Sequence, residues 1–79
     1  MKIEDVFSLY EAEHPGTHTA VRRTVLALRR GGVLTVERLA ELWENEPEQL
    51  SALRDIGAQR MKLIGEVLGF WDARSFPGS

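Results

Sequence analysis

Seventy-nine residues are enough for one modest hydrophobic core and too few for a second, so a single domain over residues 1–79 is expected. The chain is 43% hydrophobic and 28% charged, ordinary proportions for a globular fold, and with no cysteine it has neither disulfides nor a thiolate metal site. No apolar run approaches a membrane span, the start Met1-Lys2-Ile3-Glu4-Asp5 is acidic rather than signal-like, and a net charge of −2 argues against coating nucleic acid by bulk attraction; a soluble, cytoplasmic protein without membrane contact is expected.

Ile3, Val6, Phe7 and Tyr10 recur at helical spacing, so residues 3–13 read as an amphipathic helix with an acidic outer face. This N-terminal unit, residues 1–14, is expected to dock its apolar stripe on the rest of the chain. His14-Pro15-Gly16 closes it, because Pro15 disfavours helical geometry at His14 and Gly16 permits a turn. Thr17 or Thr19 can cap a second helix over roughly 19–30, with Val21, Thr24, Val25 and Leu28 on one side. Arg22, Arg23, Arg29 and Arg30 fall elsewhere, and Leu26 projects between Arg22 and Arg30, away from the apolar stripe. Gly31-Gly32 supplies the left-handed position that follows a last turn. Thr35 is a good N-cap for a third helix with the stripe Val36, Leu39, Ala40 and Trp43. After the acidic stretch 44–48, Pro47 suits the first turn of a short helix carrying Leu50 and Leu53.

The segment from Leu53 to Ile64 sets the apolar-glycine pair Ile56-Gly57 directly before another amphipathic helix, which is the helix-hairpin-helix pattern. Gly57 is expected to turn the chain in a conformation closed to branched side chains. The first amides of the following helix lack internal partners and are then free to point at a phosphate oxygen. Met61, Ile64 and Leu68 form the inner face of that helix, with Gly65 admitting another helix closely. Gly69 is expected to stop it, leaving residues 69–79 as a tail whose Phe70 and Trp71 fold back over the core. Leu28 to Leu39 and Leu53 to Ile64 both run from a helix end through a glycine-containing turn into another helix, a weak internal repeat. No stretch alternates like a strand, so the expected class is all-α: a compact bundle of four to five short helices with helix-hairpin-helix units.

The run from Arg23 to Leu39, followed by Glu48-Gln49-Leu50 and Leu53-Arg54-Asp55-Ile56-Gly57, resembles the C-terminal domain of the bacterial RNA polymerase alpha subunit. The likeness covers about residues 19–68 and lies in the order and spacing of turns and apolar positions. It implies a mostly helical domain with two helix-hairpin-helix units that contacts the minor groove of A·T-rich promoter DNA and docks onto activators and sigma factors. By position, Arg23 matches the family's groove-entering arginine and Gly57 its hairpin glycine facing a phosphate. Leu26 stands where the family has a DNA-contacting Asn, Gln59 where it often has Lys, and Arg60 replaces a small hydroxyl residue. Replacing that Asn by Leu removes hydrogen bonds and adds an apolar bump. The first helix lies outside the likeness, so the chain reads as a stand-alone relative.

Charge distribution sharpens the choice of site. Residues 1–18 carry one Lys against four acids, residues 19–43 five Arg against two Glu, and residues 44–51 three Glu. The arginines are either a solvated helix face paired with these acids or the footprint of a polyanion. The leading expectation is a small DNA-binding or transcription-associated module using Arg22, Arg23, Arg30, Gly57, Gln59 and Arg60. The alternative is a protein-interaction module that keeps the fold without DNA binding and contacts its partner through Leu26, Phe70 or Trp71, or through the acidic first helix. His14 and His18 near Glu11 and Glu13 are a poor metal set, because Pro15 and Gly16 break the helical spacing. No nucleophile sits with a base in a recognisable motif and there is no phosphate loop, so neither enzyme activity, a cofactor nor a small-molecule substrate is expected.

Overall fold

A computed structural model describes residues 1–75. Five helices follow one another along them: α1 (Ile3–Glu13), α2 (His18–Arg30), α3 (Val36–Asn45), α4 (Pro47–Ser51) and α5 (Ala58–Ser75). Helices α1, α2, α3 and α4 all pack against α5. The all-α class and the helix count agree with the sequence.

Helix α1 is part of the core. Ile3, Val6, Phe7 and Tyr10 are all buried, and α1 lies against α2, α3 and α5. Glu4 and Asp5 sit in its first turn, where the helix dipole favours negative charge. The chain start is stitched to the start of α3: the Val36 amide donates to the Met1 carbonyl at 2.9 Å, the Ile3 amide to Leu34 at 3.2 Å, and the Met1 ammonium to Glu37 at 2.9 Å. That ammonium holds the Glu37 carboxyl below its ordinary pKa, chiefly through the hydrogen bond.

Helix α2 begins one residue earlier than expected, at His18. Thr17 occupies the N-cap position, but its hydroxyl turns back and donates to the His14 carbonyl at 2.7 Å instead of capping the helix. Thr24 is fully buried and satisfies its hydroxyl on the Ala20 carbonyl. The end of α2 is a Schellman arrangement. Gly32 is left-handed at φ 86°, its amide donates to Arg29, and the Val33 amide reaches back to Leu28. Leu28 and Val33 are both buried, which supplies the apolar contact that usually accompanies this turn. Thr35 then caps α3, accepting from the Arg38 amide at 3.2 Å.

The turn between α4 and α5 differs from expectation. Gly57 is not left-handed, and a β-carbon on it would meet no atom within 4 Å. The left-handed residue is Asp55, at φ 69°, a conformation that aspartate tolerates better than most side chains. Gly57 instead flanks the helix start, its carbonyl accepting from the Met61 amide at 3.0 Å. The chain therefore bends at Asp55, tucks Ile56 into the core, and enters α5 at Ala58.

Gly69 does not stop α5, which continues to Ser75. The reason is tertiary. Phe70 meets Tyr10 edge to face with ring centroids 5.7 Å apart, and Arg74 lies over the Phe70 ring and bridges to Glu13 on α1. Phe70 and Trp71 thus reach the core from within a helix, not from a folded-back tail. Lower down, Leu63, Ile64, Val67 and Leu68 are buried, a wider face than Met61, Ile64 and Leu68. Gly65 admits Trp43 of α3 so closely that a β-carbon there would lie 2.9 Å from the indole ring.

Candidate nucleic-acid interface

Arg23, Leu26, Ala27 and Arg30 fall at successive i, i+3, i+4 and i+7 positions, so one face of α2 presents all four. Opposite them stands Arg60, the third residue of α5, with Asp55 carried to the same place by its left-handed turn. Together these six residues line a concavity of about 300 Å³. Three arginines from two separate elements are thereby brought to one depression, against a single carboxylate.

Arg60 is half-buried, and its Nε is enclosed with no hydrogen-bond partner. Among the described residues, no carboxylate lies within ion-pair distance of Arg22, Arg23, Arg30, Arg54 or Arg60. The ion pairs that do form use other arginines: Arg29 with Glu4 at 3.6 Å, Arg38 with Glu41, and Arg74 with Glu13. Pairing with the acidic first helix therefore accounts for one of the four α2 arginines.

A second concavity, of about 280 Å³, lies between α1 and α2 and is lined by Arg22, Arg29, Glu4, Glu11 and His18 over a partly apolar floor. Leu26 lines both depressions, so it forms the ridge between them, and it is 44% exposed. Arg22 consequently stands across this ridge from Arg23 and Arg30.

The remaining expected positions are dispersed. Gly57 and Gln59 are exposed on the segment joining Asp55 to Arg60 and line neither depression. Phe70 belongs to the cluster of Tyr10, His14 and Arg74. Trp71 lines a third depression of about 240 Å³ with Trp43, Glu44 and Asp72. Leu26, Phe70 and Trp71 therefore do not form one surface. His14 stacks on Tyr10 and places Nδ1 2.9 Å from the Tyr10 carbonyl, while His18 places Nδ1 2.8 Å from Glu11, so the two rings are engaged separately. Among the described residues no group of three His, Cys, Asp or Glu side chains is placed to hold a metal ion, and no helix is long and apolar enough to cross a membrane.

Two further residues of this surface carry only a weak signal in the sequence. Asp55 shares the main concavity, and Arg54 joins Arg30 and Asp55 around an adjoining depression of about 320 Å³ beside Gly31 and Leu53. The available signal was the charged pair Arg54-Asp55 immediately before the hairpin, in a turn that must be exposed to connect α4 to α5. Comparison with protein-family models, characterised proteins and solved structures finds no match to this chain.

Proposed function

We propose that this chain is a small DNA-binding module of the kind associated with transcription, gripping the duplex backbone with Arg23, Arg30 and Arg60. The observation that carries the reading is the meeting of these three arginines in one depression that holds a single acid, Asp55, with no carboxylate at ion-pair distance from any of them. Guanidinium groups match phosphate oxygens with two parallel hydrogen bonds. The opening turn of α5 adds to this. The amides of Ala58, Gln59 and Arg60 precede the first i→i−4 bond, from Met61 to Gly57, and carry the positive end of the helix dipole. Asp55, in the same depression, opposes phosphate and would limit indiscriminate binding. The resemblance to the RNA polymerase alpha C-terminal domain, with its two helix-hairpin-helix units, supports the same assignment and points to A·T-rich duplex as the probe. A second reading, a protein-interaction module on the same fold, is favoured by one observation, the exposure of Leu26.

Titration of a labelled A·T-rich duplex at several salt concentrations separates the two. If three arginines each neutralise one phosphate, the logarithm of affinity falls with the logarithm of salt with a slope of about −3. Arg23→Ala should weaken binding by about 1–3 kcal/mol and reduce that slope by about one. Absence of salt-sensitive binding by the parent protein rules out the DNA reading and leaves the protein-interaction one.

A further inference from the structure

Leu26 has a setting that the binding of phosphates alone does not explain. Arg22, Arg23, Arg29 and Arg30 occupy the i−4, i−3, i+3 and i+4 positions around it, the four nearest neighbours a helix surface offers. At about 100° per residue, Arg22 and Arg29 fall on one side of Leu26 and Arg23 and Arg30 on the other, each about 40–60° away. The two depressions divide in the same way, with Arg22 and Arg29 lining one, Arg23 and Arg30 the other, and Leu26 lining both. An apolar ridge therefore runs between two pairs of arginines, the Arg22 and Arg29 side also carrying Glu11 and Glu4, the latter paired with Arg29.

We propose that Leu26 is a wedge that enters the minor groove and partly unstacks one base step, so that the module kinks the DNA it holds; this rests on the DNA-binding reading. The charge pattern selects the occupant. A minor groove is a crevice floored by base edges and walled by two rows of phosphates, which complements a leucine flanked on both sides by arginines. Leu, Phe, Ile and Met are the side chains that perform such insertion in minor-groove binders generally. A protein partner that covered Leu26 would also have to strip water from arginines on both sides, and Arg22, Arg23 and Arg30 bring no acidic partner of their own. With a hydrocarbon in place of an amide, base edges are not read by hydrogen bonds, and discrimination passes to deformability. Pyrimidine–purine steps open readily, whereas A-tracts are stiff, so the preferred A·T-rich sites contain a TA step.

The test uses the full chain and two end-labelled duplexes of identical base composition, one with a central TA step and one with an uninterrupted A-tract. Energy transfer between the ends reports bending, and each duplex is titrated at two salt concentrations. The parent should bind the TA duplex about tenfold more tightly and draw its ends together. Leu26→Ala and Leu26→Asn, both at an exposed position and checked for an unchanged melt, should retain salt-sensitive binding but lose the bend and bring the preference within about twofold. Salt-sensitive binding by the parent without bending or step preference overturns the wedge and leaves the DNA-binding reading standing, as does a Leu26→Asn protein that binds more tightly than the parent. Absence of DNA binding, with capture of an acidic leucine-bearing peptide by the parent and not by Leu26→Ala, overturns both.

Discussion

Gly65 and Gly69 lie one turn apart on α5, and the same substitution at each should act with different sign. In a helix interior, alanine is favoured over glycine by about 1 kcal/mol, so both changes start from the same gain. At Gly69 a β-carbon meets nothing within 4 Å, and the gain should appear whole, raising the melting temperature by about 4–8 °C in a domain of this size. At Gly65 the new carbon would lie 2.9 and 3.0 Å from two carbons of the Trp43 indole, against an ordinary contact of about 3.5–4.0 Å. Overpacking of this kind costs about 1–3 kcal/mol, the lower end applying if the half-buried indole yields toward the depression it borders beside Gly65. Gly65→Ala should therefore be neutral to destabilising by about 2 kcal/mol, and the difference between the variants isolates the clash from the propensity gain. Thermal and urea melts of the two proteins supply the measurement. A Gly69→Ala protein less stable than its parent would refute the reasoning, because that is the outcome for a left-handed glycine ending the helix.

The revised turn makes a paired prediction: Asp55→Val, a branched residue at φ 69°, should destabilise by about 1–3 kcal/mol, whereas Gly57→Ser should be neutral or slightly stabilising at the helix start. Urea midpoints decide it, and equal losses at both positions would return the strained conformation to Gly57. Tyr10, the only tyrosine of the chain, has its phenol pKa raised above the ordinary value, first by burial and then by its 3.0 Å hydrogen bond to Glu66 and that carboxylate's charge. A pKa higher in the folded than in the unfolded state stabilises fully below about pH 10 and is lost as pH rises through the raised value. Stability should thus fall in alkali in step with phenolate absorbance, and Tyr10→Phe should remove that part of the fall while costing about 0.5–1.5 kcal/mol near neutrality.

What was legible in the sequence is what local chemistry decides. The stripe Ile3, Val6, Phe7 and Tyr10, the glycine-ended α2, the Thr35 cap and the proline-led α4 each depend on residues within a turn or two of one another. The misreadings share the opposite property. The propensity of Gly69 alone favours a stop, but the helix is carried past it by Tyr10 and Glu13, some sixty positions away in the chain. Gly57 attracted the turn because glycine adopts left-handed geometry most easily, whereas the residue forced there is the one that lets Ile56 reach the core. The burial of Leu63 and Val67 beside Ile64 and Leu68 follows from α5 being surrounded by four helices, which one stripe cannot reveal. The site divides in the same way. Leu26 within its arginines is a property of α2 alone and could be read from spacing, but the approach of Arg60 to Arg23 depends on how α2 and α5 cross.

Charge segregation explains how an acidic chain can present such a surface. The net charge of −2 disfavours approach to a polyanion from most directions. Acids are gathered in residues 1–18 and 44–51, while the cations concentrate on α2 and at the opening of α5. In the proposed complex this uneven charge would bias orientation at encounter before any contact forms, although Glu4 and Glu11 of α1 lie beside Arg22 and Arg29. A uniformly basic protein of the same size would bind any duplex in many orientations, with contacts that salt removes together. In the proposed complex the attraction acts through the arginines on either side of Leu26, and Asp55, in the same depression as Arg23, Arg30 and Arg60, opposes it. If the proposed wedge sets the step preference, discrimination between the two duplexes should persist at salt concentrations where the phosphate contribution has been reduced, and loss of the preference in parallel with affinity would refute it.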